Sequence, residues 1–138
     1  MKRALLVMFA ALAVAACLGA ANGAAAGDSV KVVSITAAEP VVRGVENEFT
    51  VEVEYKLESA DEGEINLGFN LDRPKGFKMV ESHVVQRGAG TATLKARVIP
   101  VDWRERGRFQ MLVNLSKYPH AGRWSPLASE RREIEVGQ

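Results

Sequence analysis

The sequence predicts an all-β fold: about seven short strands in two antiparallel sheets packed face to face, behind an N-terminal export segment. Three observations predict it. Residues 48–58 alternate apolar and polar side chains without an error, and three later stretches repeat the alternation. Turn signals rich in Gly, Pro and Asp separate these stretches. No window beyond residue 30 carries a helical repeat of apolar positions. The chain has 138 residues, 47% hydrophobic and 25% charged, which is the composition of one ordinary globular domain. One cysteine excludes an internal disulfide, and two histidines leave little for a metal centre. We therefore expect neither metal nor cofactor. A net charge of +1 supplies no whole-chain attraction for nucleic acid.

The chain starts with the basic Met1-Lys2-Arg3, followed by residues 4–16 with no charged or polar side chain. These are the basic and apolar regions of a secretory signal. Thirteen residues make a helix of roughly 20 Å, short of the roughly 30 Å hydrocarbon layer, so the segment reads as one that is cleaved. Its end, Val14-Ala15-Ala16-Cys17, resembles the lipobox of bacterial lipoproteins: aliphatic, small, small, cysteine. Leucine is commoner in that family where Val14 stands. The resemblance covers residues 1–17 and implies that Cys17 receives a diacylglycerol and becomes the first mature residue. Two or three acyl chains anchor a protein stably. The alternative is an ordinary signal peptide cut at an Ala-x-Ala site. Ala24-Ala25-Ala26 offers one, and cutting after Ala26 would remove Cys17 and leave a soluble exported protein.

Residues 17–29 then form the lipidated cysteine and a Gly/Ala-rich tether without apolar periodicity, and residues 30–138 form the folded domain. By that family's sorting habit, the non-acidic Leu18 implies an outer-membrane address facing the periplasm.

Taken in order, residues 30–36 and 41–43 are weak strand candidates, divided by Glu39-Pro40 where an edge strand breaks and crosses between sheets. Phe49, Val51, Val53, Tyr55 and Leu57 form one face of the next strand. Ile65, Leu67, Phe69 and Leu71 form another, against Asn66, Gly68, Asn70 and Asp72. Residues 77–86 are a weak candidate. Ala92, Leu94, Ala96 and Val98 alternate with Thr and basic residues, and Phe109, Met111, Val113 and Leu115 with polar ones, Leu112 excepted. Residues 132–136 close the series. Turns fall at Asp61-Glu62-Gly63, at 72–76, at Gly88-Ala89-Gly90 and at Arg106-Gly107. Size and strand number match an immunoglobulin-like or fibronectin-III-like sandwich, although the cysteine pair and third-strand Trp of true immunoglobulin domains are absent. A small closed barrel is the alternative.

Charge is bipolar along the domain. Residues 28–66 hold ten acidic and three basic side chains, and residues 67–138 seven acidic and thirteen basic. In such a sandwich the second strand pairs with the fifth, which would set Glu52 and Glu54 opposite Lys95 and Arg97.

Chemistry-bearing residues are few. His83 reads as a surface strand residue. The segment 117–129 is long for a hairpin loop and carries Tyr118, His120, Arg123 and Trp124. Either Trp124 and Leu127 fold back to plug the core, or Tyr118 and Trp124 anchor a partner and Arg123 contacts an anion. Residues 101–107 surround Trp103 with Arg104 and Arg106, which reads either as a core cap with snorkelling arginines or as a partner site. The two Trp loops should lie at opposite ends, the second near Arg73 and Lys75. Asp61-Glu62-Gly63-Glu64 lacks the ligand spacing of a calcium loop, and Asn114-Leu115-Ser116 is a glycosylation sequon inside a strand. No nucleophile elbow, phosphate-binding glycine loop or paired catalytic carboxylate motif is present.

The expected function is that of a lipid-anchored cell-envelope protein acting as a non-catalytic interaction or scaffolding module. Its partners would be the membrane, through the lipid, and a protein or other envelope component, with no nucleic acid. A binder of small ligands or carbohydrates using Trp103 or Trp124 is the alternative, and an envelope hydrolase a third.

Overall fold

A computed structural model describes residues 27–120 and 125–138. The signal, Cys17, residues 18–26, Arg123 and Trp124 lie outside the described residues. Five strands are formed: β1 (Ser29–Ala37), β2 (Asn47–Arg73), β3 (Gly76–Val98), β4 (Gln110–Lys117) and β5 (Pro126–Glu133), with a single 3-10 turn at Arg104–Arg106. All pair antiparallel. No helix among the described residues is long and apolar enough to cross a membrane.

The architecture follows from β2 and β3, a long hairpin that folds over on itself. Their ladder breaks between the pairs Leu57–Gly88 and Glu62–Gln86, where the ribbon bends. On its free side, the first half of β2 pairs with β1 and the second half with β4, which in turn pairs with β5. Two layers result. One holds β1, the start of β2 and the end of β3. The other holds β5, β4, the end of β2 and the start of β3. Counted by layer there are seven strand segments, three facing four, in the predicted all-β sandwich. Both strands continue through the bend from one layer to the other, although their ladder is interrupted there, which gives one side of the sandwich a half-barrel character. Between them the layers bury one core, with Phe49, Val51, Val53, Leu57 and Leu94 on one side and Ile65, Leu67, Phe69, Met111, Val113 and Leu115 on the other. These are the alternating apolar positions of the sequence, as a two-layer fold requires.

The opposite side is closed by other means. After Pro40 the chain leaves the first layer, and Val42 pairs parallel with Gly137, which follows β5. Further back, no ladder joins β1 to β5. There the backbone N–H of Val32 donates to Glu130 Oε2 (2.8 Å), and Arg132 Nη2 donates to the Val32 carbonyl (3.3 Å). Two charged side chains of β5 thus occupy the hydrogen-bonding groups of an edge strand, a device that blocks pairing with other chains.

Three details correct the sequence expectations. The last strand is Pro126–Glu133, not 132–136, so the segment 117–129 already contains the end of β4 and the start of β5. Apolar periodicity missed β5 because its core-side positions are Ala128, Glu130 and Arg132, paired with Leu115, Val113 and Met111. Leu127 is correspondingly exposed and plugs nothing. Gly88-Ala89-Gly90 is not a hairpin turn; it lies within β3, where Gly88 (φ +117°) takes a conformation open to glycine at the bend. Finally, β2 does pair with the end of β3, but Glu52 and Glu54 face Thr93 and Thr91. Thr50 faces Lys95, and the cross-strand ion pair is Glu48–Arg97 (3.3 Å).

Ser29 begins β1, and Asp28, read in the sequence as tether, is part of the fold. Its Oδ1 accepts the N–H groups of Glu58 (2.7 Å) and Ser59 (3.1 Å) at the ribbon bend. Arg87 clamps the same bend from β3, donating to the Glu58 carbonyl and to Asp61. Partial burial pushes the Asp28 carboxyl upward, but hydrogen bonds from Ser59 and Glu58 and the charge of Arg87 outweigh it and hold it below its ordinary value. A depressed carboxylate stabilises the fold at pH values above its unfolded pKa, and that contribution fades as pH falls through the folded one. Asp28→Asn should therefore melt earlier than wild type at neutral pH, the gap closing as pH falls below the ordinary aspartate range. Melting curves of both proteins across pH check this; a gap that does not narrow in acid would contradict it.

Candidate functional site

The connectivity sorts the loops into two poles. At one lie Asp28, the bend at 58–62 and residues 118–120, tied by the Tyr118 N–H to the Glu62 carbonyl (3.1 Å). At the other lie the turn between β2 and β3, residues 99–109, and the C-terminal residues, which bond to Val41 and Arg43. Tyr118 and His120 therefore lie at the end opposite Trp103; Trp124 falls outside the described residues.

At the first pole, His120 Nε2 lies 3.5 Å from Glu64 Oε2, and the Tyr118 and His120 rings meet edge to face at 6.5 Å. Tyr118 is 37% exposed. Whether Arg123 and Trp124 join these two as a recognition loop falls outside the described residues.

The second pole is organised by Asn70, on which the sequence placed no weight. It alternates with core residues on the outward face of β2, yet it is fully buried. Its Nδ2 donates to the carbonyls of Pro74 (3.0 Å) and Arg108 (2.7 Å), and its Oδ1 accepts the N–H of Gln110 (2.8 Å). Its backbone carbonyl accepts Trp103 Nε1 (2.8 Å). One residue thereby fixes the β2–β3 turn, the Trp103 loop and the start of β4 relative to one another. Trp103 is half-buried, with its indole N–H engaged within the fold. Beside it, Arg104 is held at φ +53° in the left-handed region, its N–H bonded to Asp102 Oδ1 (2.9 Å). The Arg106 N–H returns to the Trp103 carbonyl (3.0 Å). Both arginine side chains are exposed.

Two concavities open here. One, of about 710 Å³, has walls of mixed charge: Arg104 and Arg108 with Asp102, Glu105, Glu133 and Glu135. The other, of about 520 Å³, is lined by Arg73, Pro74, Lys75, Gly76 and Arg106. None of its three cations is in an ion pair among the described residues. Gly76 lets the Arg73 guanidinium fold across the turn, since a Cβ there would come within 2.8 Å of Arg73 Nε. Arg73 and Lys75 were legible only as neighbours of the Trp103 loop; the convergence with Arg106 depends on the Asn70 bonds.

The outward face of the four-stranded layer is less solvated than alternation implies. Asn66, Asn114 and Ser116 are all buried, Asn66 Nδ2 bonding to Ser116 Oγ (3.3 Å) and Ser129 Oγ to Asn114 Oδ1 (2.6 Å). Met79 lies over Gly68, and the Arg131 guanidinium over the Phe77 ring at 5.2 Å. With 1% of Asn114 exposed, the sequon presents no accessible amide for a glycan. His83 is exposed on β3. No group of three or more His, Cys, Asp or Glu among the described residues is placed to hold a metal ion.

No family model matches the chain, and no curated protein matches it. Among solved structures, a β-glucosidase from Kluyveromyces marxianus is similar over 78% of this chain and 14% of its own length, at 13% identity and a TM-score of 0.39. The chain thus spans about one seventh of that protein, a likeness too slight to carry an argument about fold or activity.

Proposed function

We propose that this protein is a lipid-anchored module of a bacterial cell envelope, held at Cys17, that binds a partner with the pole farthest from its anchor and performs no catalysis. The observation that carries this reading is the opposition of the two poles. The chain enters the fold at Asp28, bonded to the bend at 58–59, whereas the exposed Arg73, Lys75 and Arg106 sit at the other end. Residues 18–27 would reach at most about 35 Å from an acylated Cys17. An anchor at that end leaves the cationic pole facing away from the membrane. The lipobox-like Val14-Ala15-Ala16-Cys17 supports the anchor, and the address it implies is the periplasmic face of the outer membrane. The carbohydrate reading, with Trp103 or Trp124 as the stacking platform, is the alternative; the Trp103 indole N–H is bonded to the Asn70 carbonyl, which leaves its ring face for a ligand.

Cys17→Ser tests the anchor. The variant should move from the membrane fraction to the soluble one while keeping the wild-type melting temperature. Unchanged membrane partitioning would overturn the proposal.

A further inference from the structure

We infer that the concavity between the β2–β3 turn and the Trp103 loop is a binding site for a phosphate group. The inference rests on the reading of this pole as the interaction end and names the chemistry it recognises. Arg73, Lys75 and Arg106 reach it from two different segments, and none is neutralised by an ion pair among the described residues. The neighbouring acids in sequence, Asp72 and Glu105, do not line it, and Glu105 faces the adjacent concavity. Like charges held together cost free energy unless an anion offsets them. These segments are held together by Asn70, bonded to the Pro74 carbonyl on one side and, through its own carbonyl, to Trp103 on the other. Pro74 also packs near Gly107, where an added Cβ would lie 3.6 Å from the Pro74 Cβ. Two guanidinium forks and an ammonium suit a dianionic, tetrahedral phosphate better than a single planar carboxylate, because each fork can donate two parallel N–H bonds to its oxygens. Such a group could belong to a phospholipid headgroup or to a soluble phosphate ester; the recognition is the same.

The test titrates inorganic pyrophosphate into the full-length purified protein at low salt, and in a second arm compares binding to phosphatidylcholine vesicles with and without phosphatidic acid, so that insertion of the acyl chains is common to both. Wild type should bind pyrophosphate, more weakly as salt is added. Arg106→Gln should weaken binding severalfold, and the triple variant Arg73→Ala/Lys75→Ala/Arg106→Ala roughly tenfold or more. Lys95→Ala/Arg97→Ala, on exposed positions of β3, should leave it unchanged. Circular dichroism checks that each variant is folded. Pyrophosphate binding together with tighter binding to the phosphatidic acid vesicles, both lost in the triple variant, identifies a headgroup; pyrophosphate binding with equal binding to the two kinds of vesicle identifies a soluble phosphate. No pyrophosphate binding, or equal loss in the Lys95/Arg97 variant, overturns the inference. Release from the membrane by Cys17→Ser is read separately, so the anchored-module proposal can stand where this site fails.

Discussion

Phe69→Ala is expected to destabilise the domain by about 4 kcal/mol, roughly 15 °C in melting temperature. Phe69 is fully buried, its ring centroid 5.5 Å from that of Phe49 and 5.6 Å from that of Phe109. The three rings come from the two halves of the folded ribbon and from the approach to β4, so this cluster is where the layers meet. Removing the middle ring costs both its transfer from water and the cavity left between two rings held by their own strands. Folded domains of this size are stable by about 5–15 kcal/mol, so the loss is a large fraction of the whole. Phe69→Leu, which leaves a smaller void, should cost about 1–2 kcal/mol. Urea unfolding followed by far-ultraviolet circular dichroism measures both. If Phe69→Ala lost less than about 1 kcal/mol, the two layers would not share this core.

Asn70→Leu should cost about 3 kcal/mol although it exchanges a polar buried side chain for an apolar one of similar size. Leucine would strand the Gln110 N–H and the carbonyls of Pro74 and Arg108, each losing a partner held at 2.7–3.0 Å. A buried backbone group left unpaired costs about 1–3 kcal/mol, partly recovered where water reaches it. Loosening of the pole supplies a second readout. Trp103 still donates to the residue-70 carbonyl, but with the turn and the start of β4 untied its fluorescence should shift toward that of a wetter indole. Asn70→Asp keeps the acceptor but turns its second carboxylate oxygen toward two carbonyls in a buried site, and at neutral pH should cost at least as much as leucine. A leucine variant as stable as wild type would mean that these bonds do not organise the pole.

The fold was legible wherever one face of a strand is apolar and the other polar. Residues 48–58 and 92–98 show that pattern, and the core positions follow from it one by one. It failed at β5, whose inward positions carry Glu130 and Arg132 because they serve the edge of β1 rather than the core. The continuity of β2 and β3 was hidden for a different reason. Glycines at 63, 88 and 90 mark a turn and a bent ribbon alike, and only the long-range ladder distinguishes them. At the candidate site, Trp103, Arg104 and Arg106, and their distance from Tyr118 and His120, could be read from composition and sandwich connectivity. Asn70 could not. Alternation gives the face on which a residue lies, and this one lies on the outward face; its burial comes from loops that return over it from 30 to 40 positions along the chain.

The proposed attachment of this domain to a membrane through Cys17 is tested most directly by the intact mass of the mature protein. Purified from its native envelope in detergent, the chain should begin at Cys17 and exceed the mass of residues 17–138 by that of a diacylglyceryl group replacing the thiol hydrogen, with or without a further acyl chain. A mature chain that begins at Gly27 with no added mass would contradict it.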